Sequence, residues 1–556
     1  MSSESEPAWD RGLPAADGII SACERAALSG GPPLAPLAAA VAAARTKLGQ
    51  PMRLAVAGQI KRGKSTIVNA LLGADLAATG PAELTFTVNE FHDARTPRIM
   101  VHYRNGDSEE FPPEQLHALT VRDAADVERL RRIRRVEYGL PNPLLEKFRL
   151  IDTPGLASVH AQDSANAMDA LGISGFTSET ERADIGSALK AMDRTAEEVG
   201  TDSAAELDAA DAVLYLFSRG LHERDSAALT DFLGPSAASL TPLKAFGVLS
   251  KCDQYWPPGA GGSGPSDPMT YDPLAEGARL AQRCMERPEN RRLFFTLVPV
   301  SGLVALAAQT LGPEEFGWLE ELARADQRWL ADELGDAGYF ASEERLPRIP
   351  LGRAERSVLI RRLGPWGVHL AARHLRDGLG EAEVRERLVR DSGVARLREL
   401  VVGHFGARAT LIKLDHGLRG VSREVTRCRG EAFANGVEAP EQAGRVAGLV
   451  QWLRAQEPGF DELHVLGDHY NGRLRLTDAE VADLLTVTGE YGGGTAARLG
   501  LPAGASPDDQ LRTARDKAGA WARRERDPML DRHTRNAAEV LRRAYELLAH
   551  LTGGNR

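Results

Sequence analysis

Apolar residues follow two regimes along this chain. From about residue 51 to about 303 they come in short runs broken by Gly, Pro, Asn and Asp, the pattern of strands buried on both faces. Leu54–Ala57, Val136–Leu140, Phe148–Ile151, Asp211–Phe217, Ala245–Leu249 and Phe294–Val300 read as such strands. Glu83–Phe91 alternates apolar and polar positions, Arg98–Tyr103 is a further strand candidate, and Asn105-Gly106-Asp107 marks a turn. Elsewhere the spacing is helical. Two helical patterns fill Ala15 to Leu48, split by Ser29-Gly30-Gly31-Pro32-Pro33. Helices are also predicted over Asp163–Leu171, Thr180–Val199, Glu314–Leu334, Ala354–Arg362, Ala382–Arg390, Val394–Phe405, Ala407–Arg429, Glu441–Ala455 and Phe460–Tyr470. Thr477 with Glu480 forms a capping box, Ser506-Pro507 opens a further helix, and Asp527 to Leu551 carries an apolar stripe. The expected division is a loose tail over 1–14, a helical segment over 15–50 that joins a bundle, and an α/β domain over 51–310. A helical extension over 311–404 and a C-terminal bundle over 405–556 follow.

The strand-to-helix step between Arg53 and Gly73 carries the first chemical signal. It reads RLAVAGQIKRGKSTIVNALLG, with G-x-x-x-x-G-K-S lying between a predicted strand and a helix whose stripe is Ile67, Val68, Leu71 and Leu72. Gly58 and Gly63 let main-chain amides wrap phosphate oxygens, and the helix N-terminus adds its partial positive charge. Gln59, Lys61, Arg62 and Thr66 complete the cradle. Lys64 reaches the β- and γ-phosphates and the Ser65 hydroxyl ligates Mg²⁺.

Two later motifs extend the site. Asp152-Thr153-Pro154-Gly155 leaves a buried strand, where Asp152 can hold a water on the metal and the Gly155 N–H can sense the γ-phosphate. Ser250-Lys251-Cys252-Asp253 ends another buried strand with the form of a guanine reader. The Asp253 carboxylate accepts from the ring N–H and exocyclic amine of guanine, and the stem of Lys251 covers one face of the base. Ser301-Gly302 stands where a backbone N–H meets the guanine carbonyl oxygen. GTP and GDP with Mg²⁺ are therefore the expected ligands.

Composition narrows the setting. The 556 residues are 43% hydrophobic and 26% charged, the balance of a soluble globular protein of two or more domains. A formal net charge of −10 argues against a general grip on nucleic acid. The four cysteines show neither paired nor metal-ligand spacing, which suits a reducing cytosol. Met1 to Pro7 is polar and acidic rather than a signal peptide, and Leu297 to Leu311 is too short and interrupted to span a bilayer. The expectation is a cytoplasmic protein whose membrane contact, at the inner face of the cell membrane, is peripheral.

Taken together, GQIKRGKSTIVNALLG, ATGPAELTFT, LIDTPG and LSKCD resemble bacterial dynamin-like GTPases. SGVARLRELVVGHFGARATLIKL is similar to the segment by which such proteins leave the GTPase domain for a helical stalk. The resemblance implies a Ras-like, three-layer P-loop fold with a mixed, mostly parallel sheet. It implies Thr85 as the switch threonine on Mg²⁺, with Thr87 as the alternative, so that Ser65, Thr85 and Asp152 form the metal set. Where dynamins carry a catalytic Gln and a cation-binding Ser, this chain has Ile60 and Lys61. The charge of Lys61, or of its rival Arg62, would then replace the cation, and Lys64, Thr85, Lys61 and Gly155 are the catalytic candidates. Implied partners are a second copy meeting through the GTPase face, a second dynamin-like protein and a membrane surface. Rival readings are a ribosome-assembly GTPase, a nucleotide-gated scaffold with little turnover, and an ATPase against which Asp253 speaks.

Overall fold

The computed structural model describes residues 13–58, 62–76, 88–113, 132–153, 210–217, 244–258, 267–346, 348–470 and 472–553. The chain opens with helices α1 (Leu13–Ser29) and α2 (Ala35–Leu48), then strand β1 (Met52–Gly58) and helix α3 (Lys64–Leu72). Strands β2 (Val88–Asp93), β3 (Arg98–Tyr103), β4 (Ser108–Phe111), β5 (Ile133–Leu140), β6 (Phe148–Asp152), β7 (Ala212–Phe217) and β8 (Ala245–Leu249) follow. Helices α4 (Pro273–Met285) and α5 (Pro288–Leu293) precede strand β9 (Leu297–Pro299). Next come α6 (Gly302–Thr310), α7 (Pro313–Ala323), α8 (Gln327–Gly335), α9 (Ala337–Ser342), α10 (Arg353–Arg376), α11 (Glu381–Asp391) and α12 (Val394–Val401). A π-helical turn (Val402–Gly406) leads into α13 (Ala407–Ala434), α14 (Glu441–Gln456), α15 (Pro458–Tyr470), α16 (Asp478–Val487), α17 (Thr495–Arg498), α18 (Pro507–Glu525) and α19 (Arg532–Gly553).

The described residues of Arg53–Pro235 and Ala245–Glu399 form one compact unit; those of Met1–Met52 and Leu400–Arg556, with Lys244, form another. The first is built on a sheet of order β4-β3-β5-β2-β6-β1-β7-β8-β9 among the described residues. β1, β7, β8 and β9 run parallel, as do β2 and β5, whereas β2–β6, β3–β4 and β3–β5 are antiparallel. This mixed sheet with flanking helices is the α/β architecture expected. β7 and β8 are buried at every position, as their unbroken apolar runs require. A second core of the same unit gathers Phe316, Leu319, Leu330, Leu334, Leu359, Trp366 and Leu388 from α7, α8, α10 and α11.

The other unit is helical. α1, α2, α13 and α14 share a core that includes Ile20, Leu37, Val41, Leu414, Leu418, Val421, Val446 and Val450. Gly417 permits the approach of α13 to α2, since a Cβ there would lie 2.8 Å from the Ala44 Cβ. The Lys413 ammonium caps the end of α2 by donating to the carbonyls of Leu48 and Gln50 at 2.9 and 2.6 Å. Beyond α14, the buried pair Arg498–Glu462 is closed at 2.7 Å.

Several elements differ from the sequence pattern, each for a local reason. The last strand is confined to Leu297–Pro299, because Phe294 ends the short helix α5 as its C-cap. Glu314 to Leu334 is two helices: the first ends at Ala323, and the Asp326 side chain caps the second by accepting from the Trp329 N–H at 2.8 Å. The helix read over Ala354–Arg362 runs on to Arg376, kinked where Gly364 takes φ 68° ahead of Pro365. The break placed between Phe405 and Ala407 is bridged by the π turn. The last helix starts at Arg532 rather than near Asp527. β4 was not anticipated; its Ser108-Glu109-Glu110 are exposed edge residues with no apolar run to announce them. The predicted helices over Asp163–Leu171 and Thr180–Val199, and the first half of Glu83–Phe91, lie outside the described residues.

Candidate nucleotide-binding site

The sheet delivers the motifs to one edge of the central strands. β1 ends on Gly58 at φ 139°, where a Cβ would stand 2.5 Å from the Leu216 carbonyl oxygen on the neighbouring strand. Only glycine fits so close a main-chain crossing. Gly63, at φ 84°, is the N-cap of α3, and Lys64 and Ser65 open that helix.

Lys64 is buried at 7% exposure. Burial pushes its ammonium from 10.5 down to about 8, opposed by the Asp152 charge and assisted by Arg62 and Lys251. The Ser65 hydroxyl donates to the Asp152 Oδ2 at 2.7 Å. Asp152 is 0% exposed, and its Oδ1 is a buried oxygen with no hydrogen-bond partner among the described residues. Burial raises this carboxyl from 3.8 to about 6 against the pull of Lys64 and the Ser65 bond. A hydroxyl and a carboxylate meeting beside a phosphate cradle, with one carboxylate oxygen unsatisfied, could hold a hard divalent cation through oxygen. Thr153 fastens the exit of β6 to β1 by donating from its Oγ1 to the Val56 carbonyl at 2.9 Å.

At the base end, the Ser250 hydroxyl lies 2.8 Å from the Arg62 carbonyl and 3.2 Å from that of Phe217, so the base loop holds the phosphate loop directly. Lys251 takes a left-handed conformation at φ 59°, and its Cε comes within 3.8 Å of a Cβ built on Gly63. Its aliphatic stem thus lies along the phosphate loop. Asp253 is buried, and burial raises its carboxyl although the Ser301 side chain hydrogen-bonds to it. The Ser301 Oγ also accepts the Val304 N–H at 3.3 Å as the cap of α6. Gly302 brings α6 against α3: a Cβ there would meet Ile67 Cδ1 at 2.7 Å and Thr66 Cγ2 at 3.4 Å.

Gly58, Arg62, Gly63, Lys64, Ser65, Thr66, Asp152, Ser250, Lys251, Asp253, Ser301 and Gly302 are accordingly brought around one edge of the sheet. Gln59, Ile60, Lys61, Thr85, Thr87 and Gly155 lie outside the described residues. The Ser301 amide is committed elsewhere, donating to the Ser392 carbonyl at 2.8 Å. Of the Ser301-Gly302 pair, the Gly302 N–H is therefore the donor to consider for a base. Two neighbours had no motif to announce them. Asn89 is paired with Asp152 across β2 and β6, and it accepts from the Tyr138 hydroxyl at 3.4 Å. The alternation of Glu83–Phe91 was the one signal for Asn89, and it gave a strand without a partner.

Parts of the sequence are shared with known proteins. Residues 54–204 match the model of the dynamin family. Over those residues the chain is dynamin-like. It is similar over 505 residues, at 27% identity and 90% of each chain, to the isoniazid-induced protein IniC of Mycobacterium tuberculosis. Over 120 residues it is 30% identical to dynamin-like protein 2 of Campylobacter jejuni, covering 22% of this chain and 19% of that one. Over 126 residues it is 29% identical to the bacterial dynamin-like protein of Nostoc punctiforme, covering 20% of this chain and 18% of that one. The match supports a GTPase domain of dynamin type in this segment, and with it guanine-nucleotide binding. Among the described residues, no helix is long and apolar enough to cross a membrane.

Proposed function

We propose that the chain is a Mg²⁺-dependent GTP hydrolase that converts GTP to GDP and phosphate and couples the reaction to rearrangement of its helical unit. The observation that carries this reading is the Ser65–Asp152 pair, with its unsatisfied Asp152 Oδ1 sealed from solvent beside Lys64. Ser65 and Asp152, joined by Thr85, would hold Mg²⁺, which when bound neutralises phosphate charge. Lys64 places a fixed cation in a low-dielectric pocket, where charge acts on a developing phosphoryl transition state most strongly. Ser250 fixes the loop's position, Asp253 selects guanine and Gly302 adds an amide at the base. Lys61, with Arg62 as its rival, supplies charge that the Ile60 position cannot, and the Gly155 amide reports on the γ-phosphate.

Turnover is slow in isolated molecules and rises when GTPase faces meet, in a second copy or in a second dynamin-like protein. The protein works in the cytoplasm and at the inner face of the membrane as a peripheral partner. Phosphate release measured with GTP and ATP, with Mg²⁺ or chelator, and across a wide enzyme concentration series, tests these statements together. Equal use of ATP, turnover in chelator, or flat specific activity would each remove the corresponding part.

A further inference from the structure

The nucleotide-binding helix α3 has two ends, and this chain does something specific with the far one. Lys64 and Ser65 stand at its N-terminus, and at the other end of its nine residues, at Leu72, its carbonyls run out of partners within the helix. Each of the last three is taken by a side chain from elsewhere. Leu72 receives the Asn142 amide at 2.9 Å, and Ala70 receives the Gln309 amide at 3.0 Å. Arg398 then donates to both Ala70 and Leu71, at 3.2 and 2.8 Å. A guanidinium on the negative end of a helix dipole is a favourable placement. What matters is where this one comes from: α12, part of the SGVARLREL segment by which the chain leaves the GTPase fold.

The same short helix is tied to the other half of the nucleotide site. The Ser392 carbonyl, two residues before α12, accepts the Ser301 N–H at 2.8 Å, and Ser301 also bonds Asp253. Gly393, at φ 80°, lies against the base loop so closely that a Cβ would meet the Pro299 carbonyl oxygen at 2.4 Å. One bond therefore joins the start of this segment to the base loop. Another joins its middle to the far end of the phosphate-loop helix. The chain then continues through the π turn into α13.

We propose that α12 reads the nucleotide state of the site, with Arg398 as the positioning residue that passes displacement of α3 to it. The Ser392–Ser301 bond is the fulcrum: it holds the start of the segment on the base loop, which guanine occupies in both GTP and GDP states. Arg398 sits on the helix whose first turn contacts the phosphates, the part of the ligand that changes. α12 accordingly tilts about Ser392 when the γ-phosphate is lost. This inference rests on the proposed GTPase reading and adds the residue through which that reading reaches the helical chain.

The test uses the full chain, with hydrogen exchange of the 394–401 amides followed in GDP and in a slowly hydrolysed GTP analogue. The wild type is expected to show a difference between the two ligands of about fivefold or more in protection. Arg398→Ala should lose that difference while its GDP affinity, from calorimetry, and its turnover in dilute solution stay within about twofold, because no bond to ligand is removed. Arg398→Lys, which keeps the charge but not the fork, should retain part of the difference. Gln309→Leu removes another donor from the same Ala70 carbonyl, but one that comes from α6, so it should leave the difference intact. If Arg398→Ala behaves like the wild type, or Gln309→Leu abolishes the difference equally, the proposal is overturned. Should Arg398→Ala fail to fold, the contrast between Arg398→Lys and Gln309→Leu decides in the same way. A wild type that hydrolyses GTP without any ligand-dependent change in 394–401 overturns this inference alone. A wild type that neither binds guanine nucleotide by calorimetry nor releases phosphate overturns the GTPase reading and this inference with it.

Discussion

Replacing Asp152 with Asn should make the nucleotide-free protein more stable while disabling it. Asp152 is fully buried; one of its oxygens accepts the Ser65 hydroxyl and the other has no partner among the described residues. Burial outweighs both the Lys64 charge and the Ser65 bond, which is why the carboxyl rises from 3.8 to about 6. At about 1.4 kcal/mol per pH unit, this corresponds to about 3 kcal/mol against the folded state once the group is ionised. The sign is fixed by the direction. A folded-state value above the unfolded one means that the penalty is absent below 3.8, builds from there to about 6, and is fully present above that. Asn keeps the shape and an acceptor for Ser65 but carries no charge. In chelator at pH 7.5, the Asp152→Asn variant should therefore melt higher than the wild type, by about 6 °C if each kcal/mol is worth about 2 °C. At pH 4.5 the gap should largely close. Adding Mg²⁺ and GDP should invert the order, because only the wild type gains the stabilisation of the bound pair. Differential scanning fluorimetry over these conditions is sufficient. A variant that melts at or below the wild type in chelator at pH 7.5 would refute the reasoning, as would a gap independent of pH.

Three further outcomes are expected. Ser250→Ala removes the bond to the Arg62 carbonyl, a loss of about 1 kcal/mol, and should weaken GDP binding about fivefold in a fluorescent-nucleotide titration, with Ser250→Asn restoring it. Asp253→Asn should lower guanine affinity on the order of a thousandfold and favour xanthine nucleotides, read by calorimetry with both bases. Glu90→Gln addresses the sheet: Glu90 is 1% exposed and meets Arg149, Arg135 and Arg53 at 2.8, 3.4 and 3.5 Å. Burial alone would raise its carboxyl, but the Arg149 bond and the three positive charges hold it below the usual carboxylate range. That stabilisation is present above the unfolded value and is lost as pH falls through the folded one. The substitution should cost about 2 kcal/mol near pH 7, less than for a fully buried pair because the arginines are partly solvated, and the deficit should shrink toward pH 3 in a denaturant series.

What could be read from the sequence was local chemistry. Gly58, Gly63, Lys64 and Ser65 announce themselves because a phosphate cradle needs those residues at that spacing, and Asp253 because it follows a fully buried strand. Relations across the sheet were hidden. Glu90 looked like one polar position in an alternating strand, and nothing in its neighbourhood revealed Arg53, Arg135 and Arg149 on three other strands. Ser301-Gly302 was read as offering a backbone N–H to the base; that the Ser301 amide is held by the Ser392 carbonyl, about ninety residues on, could not be seen. Helix ends misled for the opposite reason. Gly364-Pro365 has the look of a loop, yet buried Leu363, Trp366 and Leu370 carry α10 through it. The turn at 402–406 shows how a seeming break can instead be extra residues absorbed by a helix, held there by Arg408, which donates to Glu490 at 3.1 Å and to the Thr488 carbonyl at 3.0 Å.

The lodging of α1 and α2 against α13 and α14 has a bearing on how the protein is made. During synthesis α1 and α2 expose Leu37 and Val41, whose core neighbours Leu414 and Val421 lie about 380 residues later in the chain. At about 5–20 residues per second that interval lasts on the order of half a minute. Throughout it, the apolar positions of α1 and α2 lack those neighbours. Until α13 and α14 are made, the apolar face of this helix pair is therefore open to a holdase.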